Sequence, residues 1–164
     1  MNLSYFRIKL SQEESINRLQ NWIGKAPKEV IETNDSNAVD VACENETWKG
    51  RAVYVYHNAP WTVFEDLSGG FSVISAENWL QFAEKNSLIV AGYNDAILFA
   101  EFIIIENGVV IRDFFEDYDN PEDNRNLGIL PFEKETPIES WIDVAAFVDD
   151  DDIVSSENGT VLIF

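Results

Sequence analysis

Apolar and polar residues alternate at every second position in several short stretches of this chain, a pattern typical of half-buried β-strands. β-Branched and aromatic residues are frequent in these stretches, and Gly, Pro and Asn residues separate them. The predicted strands are residues 5–10, 39–43, 51–56, 61–65, 88–91, 97–105, 109–115 and 161–164. We predict a hairpin between strands 39–43 and 51–56, and before it a loop over residues 25–37 with one helical turn near 29–31.

Three further stretches repeat their apolar residues with the period of an α-helix and begin at a capping residue. Ser11 is followed by Glu14 at the capping-box spacing, and Gly24 is a suitable stop. The predicted helices are residues 11–23, 75–85 and 136–148, the last with Pro137 at its first helical position and Glu139 completing a capping box. We expect their tryptophans, Trp22, Trp79 and Trp141, to pack against a sheet and to be largely buried.

The pair Asn107-Gly108 lies between two apolar runs and is the strongest short-range signal for a type I′ hairpin. A two-residue turn at this position pairs Ile103 with Arg112. Glu101 then lies diagonally opposite Arg112 on the same face, so we predict a salt bridge between them. Both faces of the hairpin are otherwise apolar, which indicates a strand pair covered on each side.

Helices alternate irregularly with runs of strands, and neither an internal repeat nor an interdomain linker is visible. This organisation favours an α+β fold with a largely antiparallel sheet and about three helices over a doubly wound parallel fold. A length of 164 residues suits one domain, so we predict a single acidic α+β domain over residues 1–164. The hydrophobic content of 46% and the aromatic content of 13% exclude an acidic disordered tail.

Acidic residues are concentrated in the second half of the chain. Residues 88–164 hold 18 of the 30 Asp and Glu residues against only Arg112, Arg125 and Lys134, so they carry about −15 of the total charge of −19. A field of this sign repels nucleic acid and anionic membranes, and it accelerates encounter with a basic partner. Composition therefore predicts a basic protein as the partner, and neither a nucleic acid nor a membrane.

Cysteine content and the N-terminal sequence indicate the compartment. Cys43 is the only cysteine, so an intramolecular disulfide and a thiolate zinc site are both excluded, and a small buried apolar residue is the ordinary role. The first residues lack a basic region followed by a long apolar run, and no stretch is long enough to span a membrane. We expect a cytoplasmic protein in a reducing compartment.

Two acidic clusters are candidate partner-binding sites. The first cluster contains Asp113, Glu116, Asp117, Asp119, Glu122 and Asp123. Its carboxylate oxygens are the ligands that hard cations such as calcium prefer, but Pro121 and Glu122 occupy positions that an EF-hand loop gives to a ligand and to glycine. We therefore predict no metal site, and interpret the cluster as a solvated loop that can face a basic partner.

The second cluster is Asp149, Asp150, Asp151 and Asp152, at the end of the third predicted helix. Negative charge is unfavourable at the negative end of a helix dipole, so a role outside the helix, such as docking Lys or Arg of a partner, explains the run. A solubilising run is the alternative. Trp48 joins the candidate partner-binding residues because polar neighbours on both sides predict that it is exposed.

No combination of residues identifies a catalytic site or a cofactor. His57 is the only histidine, and general-base catalysis would need a nucleophile and an orienting group that the sequence does not identify. We interpret it as a loop histidine bonded to backbone. Glu65 and Asp66 are adjacent in a strand and point to opposite faces, so they cannot converge as a catalytic pair.

The chain resembles the small bacterial immunity proteins, the cytoplasmic inhibitors encoded beside polymorphic or contact-dependent growth-inhibition toxins. The resemblance is carried by the acidic α+β organisation and by three stretches: Trp-Thr-Val-Phe-Glu-Asp-Leu-Ser-Gly-Gly at 61–70, Gly-Tyr-Asn-Asp at 92–95 and Pro-Ile-Glu-Ser-Trp at 137–141. It implies that the protein binds and neutralises a cognate toxin, often a nuclease. Two alternatives remain: an acidic DNA mimic or general interaction module, and an enzyme that uses His57.

Overall fold

A computed structural model describes residues 2–150 and 158–164, with side chains from residue 4 onward. It is an α+β structure with antiparallel sheet pairing and, among the described residues, four α-helices. The strands are β1 (Asn2–Ile8), β2 (Glu29–Thr33), β3 (Cys43–Glu44), β4 (Thr47–Trp48), β5 (Ala52–Asn58), β6 (Trp61–Asp66), β7 (Leu88–Asn94), β8 (Phe99–Glu106), β9 (Val109–Asp117), β10 (Arg125–Leu127) and β11 (Gly159–Ile163). The helices are α1 (Gln12–Ile23), α2 (Asp35–Ala42), α3 (Ala76–Ala83) and α4 (Trp141–Asp150), with short 3₁₀ helices at Pro121–Asp123 and Pro131–Lys134.

The described chain divides into two compact units. Residues 2–5 and 72–150 form the first unit, and residues 6–71 and 158–164 form the second. Hydrogen-bonded strands follow the order β10-β9-β8-β7-β1 in the first unit and β1-β6-β5-β11-β2 in the second, with β1 contributing to each. The predicted class, α+β with a largely antiparallel sheet, is confirmed, while the single-domain assignment of residues 1–164 stays a prediction.

The first unit is built around β8, whose residues from Phe99 to Ile105 are all buried. On one face, the Phe102 ring lies 4.6 Å from the ring of Phe147 in α4. On the other, the Glu101 carboxylate accepts a hydrogen bond from the backbone N–H of Val73, just before α3 (3.2 Å). The predicted cover on both faces of this hairpin is confirmed.

The second unit packs α1 and α2 against its strands. It also contains a cluster of buried aromatic rings. Phe6 stacks on Phe64 at a centroid distance of 4.7 Å and lies 5.4 Å from Phe71. The predicted cap of α1 is confirmed, because Ser11 Oγ accepts the N–H of Glu14 and Gly24 ends the helix at φ +80°.

The prediction for residues 29–43 is wrong. Residues 29–31 belong to β2, which pairs with β11, and residues 39–42 belong to α2. Asn34 caps α2 by accepting the N–H of Asn37 (3.1 Å), and Ala38 and Ala42, one helical turn apart, are its buried residues. The hairpin predicted from residues 39–43 is therefore absent, and β5 pairs instead with β6 and β11.

The Asn107-Gly108 hairpin is confirmed, but its predicted register is wrong beyond Ile105. An irregularity leaves Ile111 as an extra residue, so that Arg112 pairs with Ile104 rather than with Ile103. A shift of one residue moves a side chain to the other face of a sheet, so Glu101 and Arg112 lie on opposite faces and the predicted salt bridge does not form.

The third predicted helix begins five residues later than expected, at Trp141 rather than at Thr136. Both backbone polar groups of Ile138 are already engaged, because its N–H donates to Glu133 (3.3 Å) and its carbonyl accepts from Arg112 (2.9 Å). Arg112 thus takes the carbonyl that a helix beginning at Thr136 would offer to the N–H of Ile142.

The predicted burial of the helix tryptophans holds for only one of the three. Trp79 in α3 is fully buried, whereas Trp22 and Trp141 are half-buried. The Trp79 ring packs edge-on against Phe82, with 5.9 Å between the ring centroids. Among these tryptophans, only Trp79 therefore has the fully enclosed environment expected for all three.

Candidate protein-binding face

The first acidic cluster runs from the second half of β9 into the loop between β9 and β10. Asp117 organises this loop: its carboxylate accepts the backbone N–H of Asp119 (3.0 Å) and the Nδ2 of Asn120 (2.9 Å). Its own N–H donates to Asn124 Oδ1 (2.8 Å). The hydrogen bond from Asn120 favours the charged form and lowers the pKa of Asp117 below its usual value. We call residues 117–124 the acidic loop.

Three carboxylates of the acidic loop are exposed: Asp119, Glu122 and Asp123. Beside them, Tyr118 is 70% exposed. Aromatic side chains surrounded by charged neighbours are common in protein interfaces, where the ring supplies contact area and the charges select the partner. The acidic loop therefore combines both elements of a contact surface.

Two members of the first cluster are used inside the fold. Asp113 is only 8% exposed, and its Oδ2 accepts from the Arg125 guanidinium at 3.1 Å. Glu116 accepts the backbone N–H of Trp141, the first residue of α4, where a carboxylate interacts favourably with the helix dipole. Their carboxylates hold the neighbouring strand and helix in place.

Asp149 and Asp150 of the second cluster lie in the same unit at the C-terminal end of α4. Asp149 and Asp150 are exposed, and the Tyr93 hydroxyl of β7 donates to Asp149 Oδ1 at 3.5 Å. Asp151 and Asp152 lie outside the described residues.

Sheet register brings the two clusters to the same end of the first unit. Tyr93, which contacts Asp149, pairs with Ala100, and Ala100 pairs with Glu116. Tyr93 and Glu116 are therefore two strands apart, and Glu116 directly precedes the acidic loop. Neighbouring strands are about 4.8 Å apart, which gives a separation of roughly 10 Å. Helix α4 crosses this end of the sheet from Glu116 to Tyr93.

We call this surface the acidic end and define it by its exposed carboxylates. These are Asp95, Asp119, Glu122, Asp123, Asp149 and Asp150. Asp95 belongs to it because it follows directly after β7, whose last residue Asn94 pairs with Phe99 at the start of β8. In the sequence the two clusters are separate segments, and only the pairing of β7, β8 and β9 brings them together.

Trp48 lies in the second unit on the short hairpin of β3 and β4, where it pairs with Cys43. It is 39% exposed, as the polar residues around it predict. Its role in partner binding remains a prediction.

Two adjoining cavities beside β10 form a groove that sequence analysis missed. The smaller, about 170 Å³, lies next to the acidic loop and is lined by Phe115, Asn124 and Arg125 among others. The larger, about 720 Å³, lies over Ile129, Pro137 and Ile138. Asn126 and Glu139 line both cavities, so the two cavities meet at these side chains, and we call them together the groove. The sequence signal at this place is the glycine of Asn-Leu-Gly at 126–128. Gly128 lines the larger cavity, and glycine permits its left-handed backbone (φ +78°).

The prediction that the only histidine lies in a loop is wrong, because His57 belongs to strand β5. His57 Nδ1 is 3.3 Å from Thr62 Oγ1, and the Thr62 hydroxyl donates to the carbonyl of Leu10 (2.9 Å). Because that proton is held by Leu10, Thr62 is not presented to His57 as an activated nucleophile.

Glu65 and Asp66 point to opposite faces of β6, as predicted, and each has its own partner. Glu65 accepts from the Tyr56 hydroxyl (2.8 Å), and Asp66 accepts from the N–H groups of Gly70 (3.1 Å) and Phe71 (2.7 Å). Burial raises the pKa of Glu65 above its usual value, partly offset by the Tyr56 bond, and burial likewise raises the pKa of Asp66 against its backbone bonds.

Within residues 2–150 and 158–164, no three His, Cys, Asp or Glu side chains are arranged to hold a metal ion. The helices in the same ranges are all too short or too polar to cross a membrane. A scan against protein-family models finds no match, and searches of curated proteins and of solved structures find none either.

Proposed function

We propose that this chain is an immunity-type inhibitor that binds a basic toxin domain, such as a nuclease, and neutralises it through the acidic end. One observation carries the proposal: strand pairing gathers exposed carboxylates from three separate segments, after β7, after β9 and at the end of α4, at one end of a single sheet. The resemblance to immunity proteins supports the class of partner.

The physical basis is additive electrostatics. The segments lie on the order of 10 Å apart, close to the Debye length at physiological ionic strength, so their fields reinforce one another in front of the surface. Such a field accelerates encounter with a basic protein and disfavours acidic ones. Exposed Tyr118 then supplies short-range contact area that electrostatics alone does not provide.

Two further parts of the proposal concern location and chemistry. An inhibitor of this kind acts in the cytoplasm, in keeping with a single cysteine at position 43 and no disulfide framework. It needs no catalytic residue and no cofactor, because inhibition follows from binding. The hydrogen bond that Thr62 gives to Leu10 disfavours the alternative of an enzyme using His57.

The decisive experiment is affinity capture of the tagged protein from its source cell at low salt, followed by mass spectrometry and by co-expression with the captured protein. We expect one basic protein whose toxicity disappears on co-expression, with its gene next to that of this chain. Capture of several unrelated DNA-binding proteins would instead favour a DNA mimic. A captured partner whose toxicity is unchanged by co-expression contradicts the inhibitor proposal.

A further inference from the structure

The groove beside β10 has features that the acidic end alone does not explain. It starts at Asn124, the last residue of the acidic loop, and ends over the apolar side chains of Ile129, Pro137 and Ile138. Ile129 is 78% exposed, and Pro137, which also lines the larger cavity, is exposed as well. Single exposed apolar residues are ordinary, but two that line a cavity of this size indicate a contact site.

The charges around the groove indicate what it can accept. Arg112 is fully engaged with Glu133 and backbone carbonyls, and Arg125 donates to Asp113, so these two cations are compensated within the fold. Glu139, at the junction of the two cavities, is exposed. Together with the acidic loop it makes the entrance of the groove negative. The far part is mainly apolar and carries one exposed cation, Lys134, in its lining.

The geometry matches an extended segment of polypeptide. Asn124 and Ile129 are five positions apart, which corresponds to at most roughly 17 Å at about 3.3 Å per residue of extended chain. A ligand that reaches from the acidic loop to Ile129 therefore needs basic and apolar groups separated by several residues.

We propose that the groove binds an extended basic–apolar segment of the partner, with Lys or Arg at the acidic loop and at Glu139, and with an aliphatic side chain over Ile129, Pro137 and Ile138. This inference rests on the proposed function for the identity of the partner and adds the chemistry of the segment that is recognised. Electrostatic attraction brings the segment to the loop, and burial of its aliphatic group slows its release.

The test uses the purified full chain and a fluorescent peptide as the probe. The peptide is acetyl-Lys-Lys-Lys-Ser-Gly-Ser-Ile-Leu-amide, together with a version of reversed order because the direction of binding is open. Two control peptides replace either the lysines by glutamates or the Ile-Leu pair by serines. Fluorescence anisotropy at low salt gives the dissociation constants.

Two exposed isoleucines of the first unit provide matched variants. Ile129→Ser changes the groove, whereas Ile97→Ser makes the same change at a residue that is 51% exposed and does not line the groove. We expect Ile129→Ser to weaken binding of the basic–apolar peptide by about fivefold or more, since one aliphatic contact is lost. Ile97→Ser should leave it unchanged, and the serine control peptide should not distinguish the two variants. Thermal melts of both variants are the control that shows whether they are folded.

Three results overturn the groove proposal: no binding of the peptide in either order, equal affinity for the serine control, or equal effects of the two isoleucine variants. Failure of the proposed function can be distinguished from failure of the groove proposal, because loss of neutralisation is seen only in the co-expression assay. If the Ile129→Ser variant and the unchanged chain neutralise the toxin equally well, the groove proposal is contradicted but the inhibitor proposal is not.

Discussion

The guanidinium of Arg112 and the carboxylate of Glu133 form a bidentate ion pair inside the first unit. Arg112 Nε lies 2.9 Å from Glu133 Oε2, and Nη2 lies 2.8 Å from Oε1. The two side chains are only 1% and 3% exposed. Burial alone raises the pKa of Glu133, but the bonds from Arg112 and from the N–H groups of Leu130 and Ile138 outweigh it and keep the pKa below its usual value.

This pair also holds the walls of the groove together. Arg112 donates to the carbonyls of Leu127 (3.1 Å) and Ile138 (2.9 Å), and Glu133 accepts the N–H of Leu130 (2.8 Å). The strand end, the 3₁₀ turn and the segment before α4 are thus joined by two side chains.

Replacing Arg112 by Met should destabilise the protein by about 3–5 kcal/mol, because it leaves the Glu133 carboxylate buried without its cation. The matched control is Arg125→Met, which removes the more exposed pair with Asp113. That change should cost about 1 kcal/mol or less, since a partly exposed pair is screened by solvent. Denaturant unfolding of the three proteins measures both values, and similar losses for the two variants would show that burial of the first pair is not decisive.

Acid should selectively remove the contribution of Glu133. Because its folded pKa lies below the unfolded value, its stabilisation is fully present above the unfolded pKa, near 4.5, and is lost as the pH falls towards the folded pKa. Unfolding free energies of the wild type and Glu133→Gln, measured from neutral pH downwards, should therefore converge in that acidic range. A difference that stays constant with pH would mean that Glu133 contributes through shape alone.

Glu65 should show the opposite dependence on pH. Its pKa is raised by burial, so its charged form is disfavoured in the folded state and stability is gained as the pH falls through the raised folded value towards the unfolded pKa. Gln at this position can still accept from Tyr56 without carrying charge. We expect Glu65→Gln to be at least as stable as the wild type at neutral pH and to lose that advantage in acid. Lower stability of the variant at neutral pH would contradict this assignment.

Gly128→Ala should be more damaging than the same change at Gly69. Both glycines have positive φ, so alanine costs about 1–2 kcal/mol at either position. At Gly128 the new methyl group would also overlap the carbonyl oxygen of Ile111, whereas at Gly69 no atom lies within 4 Å. Thermal or denaturant unfolding should show the difference, with an additional loss of about 1–3 kcal/mol at Gly128. Equal losses would mean that β9 and the segment at Gly128 separate easily.

Neutralising carboxylates of the acidic end should slow association with the partner without unfolding the protein. The variant Glu122→Gln/Asp123→Asn changes the acidic loop, and Glu77→Gln/Glu106→Gln changes the net charge equally at exposed residues elsewhere in the first unit. We expect the first variant to lower the association rate by about two- to tenfold at low salt, with a smaller effect on dissociation, and the control to have little effect.

Surface plasmon resonance at increasing ionic strength is the measurement for this prediction. Added salt should bring the association rates of the wild type and the acidic-loop variant together, because long-range attraction is screened. If the two double variants behave alike at every salt concentration, total charge matters and the acidic end is not the recognition surface.

Local signals determined the parts of the fold that are formed by neighbours in sequence. The serine caps of α1 and α3, the stop at Gly24 and the turn at Asn107-Gly108 all appear where the sequence predicts them. Each depends on side chains and backbone groups within a few residues, so tertiary contacts had little to override. The composition likewise determined that the chain is acidic and has enough apolar residues to fold.

Contacts between distant residues decided the rest. Residues 39–42 have a strand-like apolar pattern, yet the packing of α2 against β2, β5 and β11, with Ala38 and Ala42 buried, makes them part of that helix. The extra residue at Ile111 sends Arg112 to the face where it meets Glu133, and their bonds to Ile138 delay α4 until Trp141.

The candidate site, too, has a part that the sequence determines and a part that only the tertiary structure decides. Sequence alone identified the acidic residues and the exposure of Trp48, but it also included Asp113, which the fold buries against Arg125. The proximity of Asp149 to the acidic loop exists only through the pairing of β7, β8 and β9. Charge is a property of each residue, whereas a binding surface depends on which residues the sheet register places side by side.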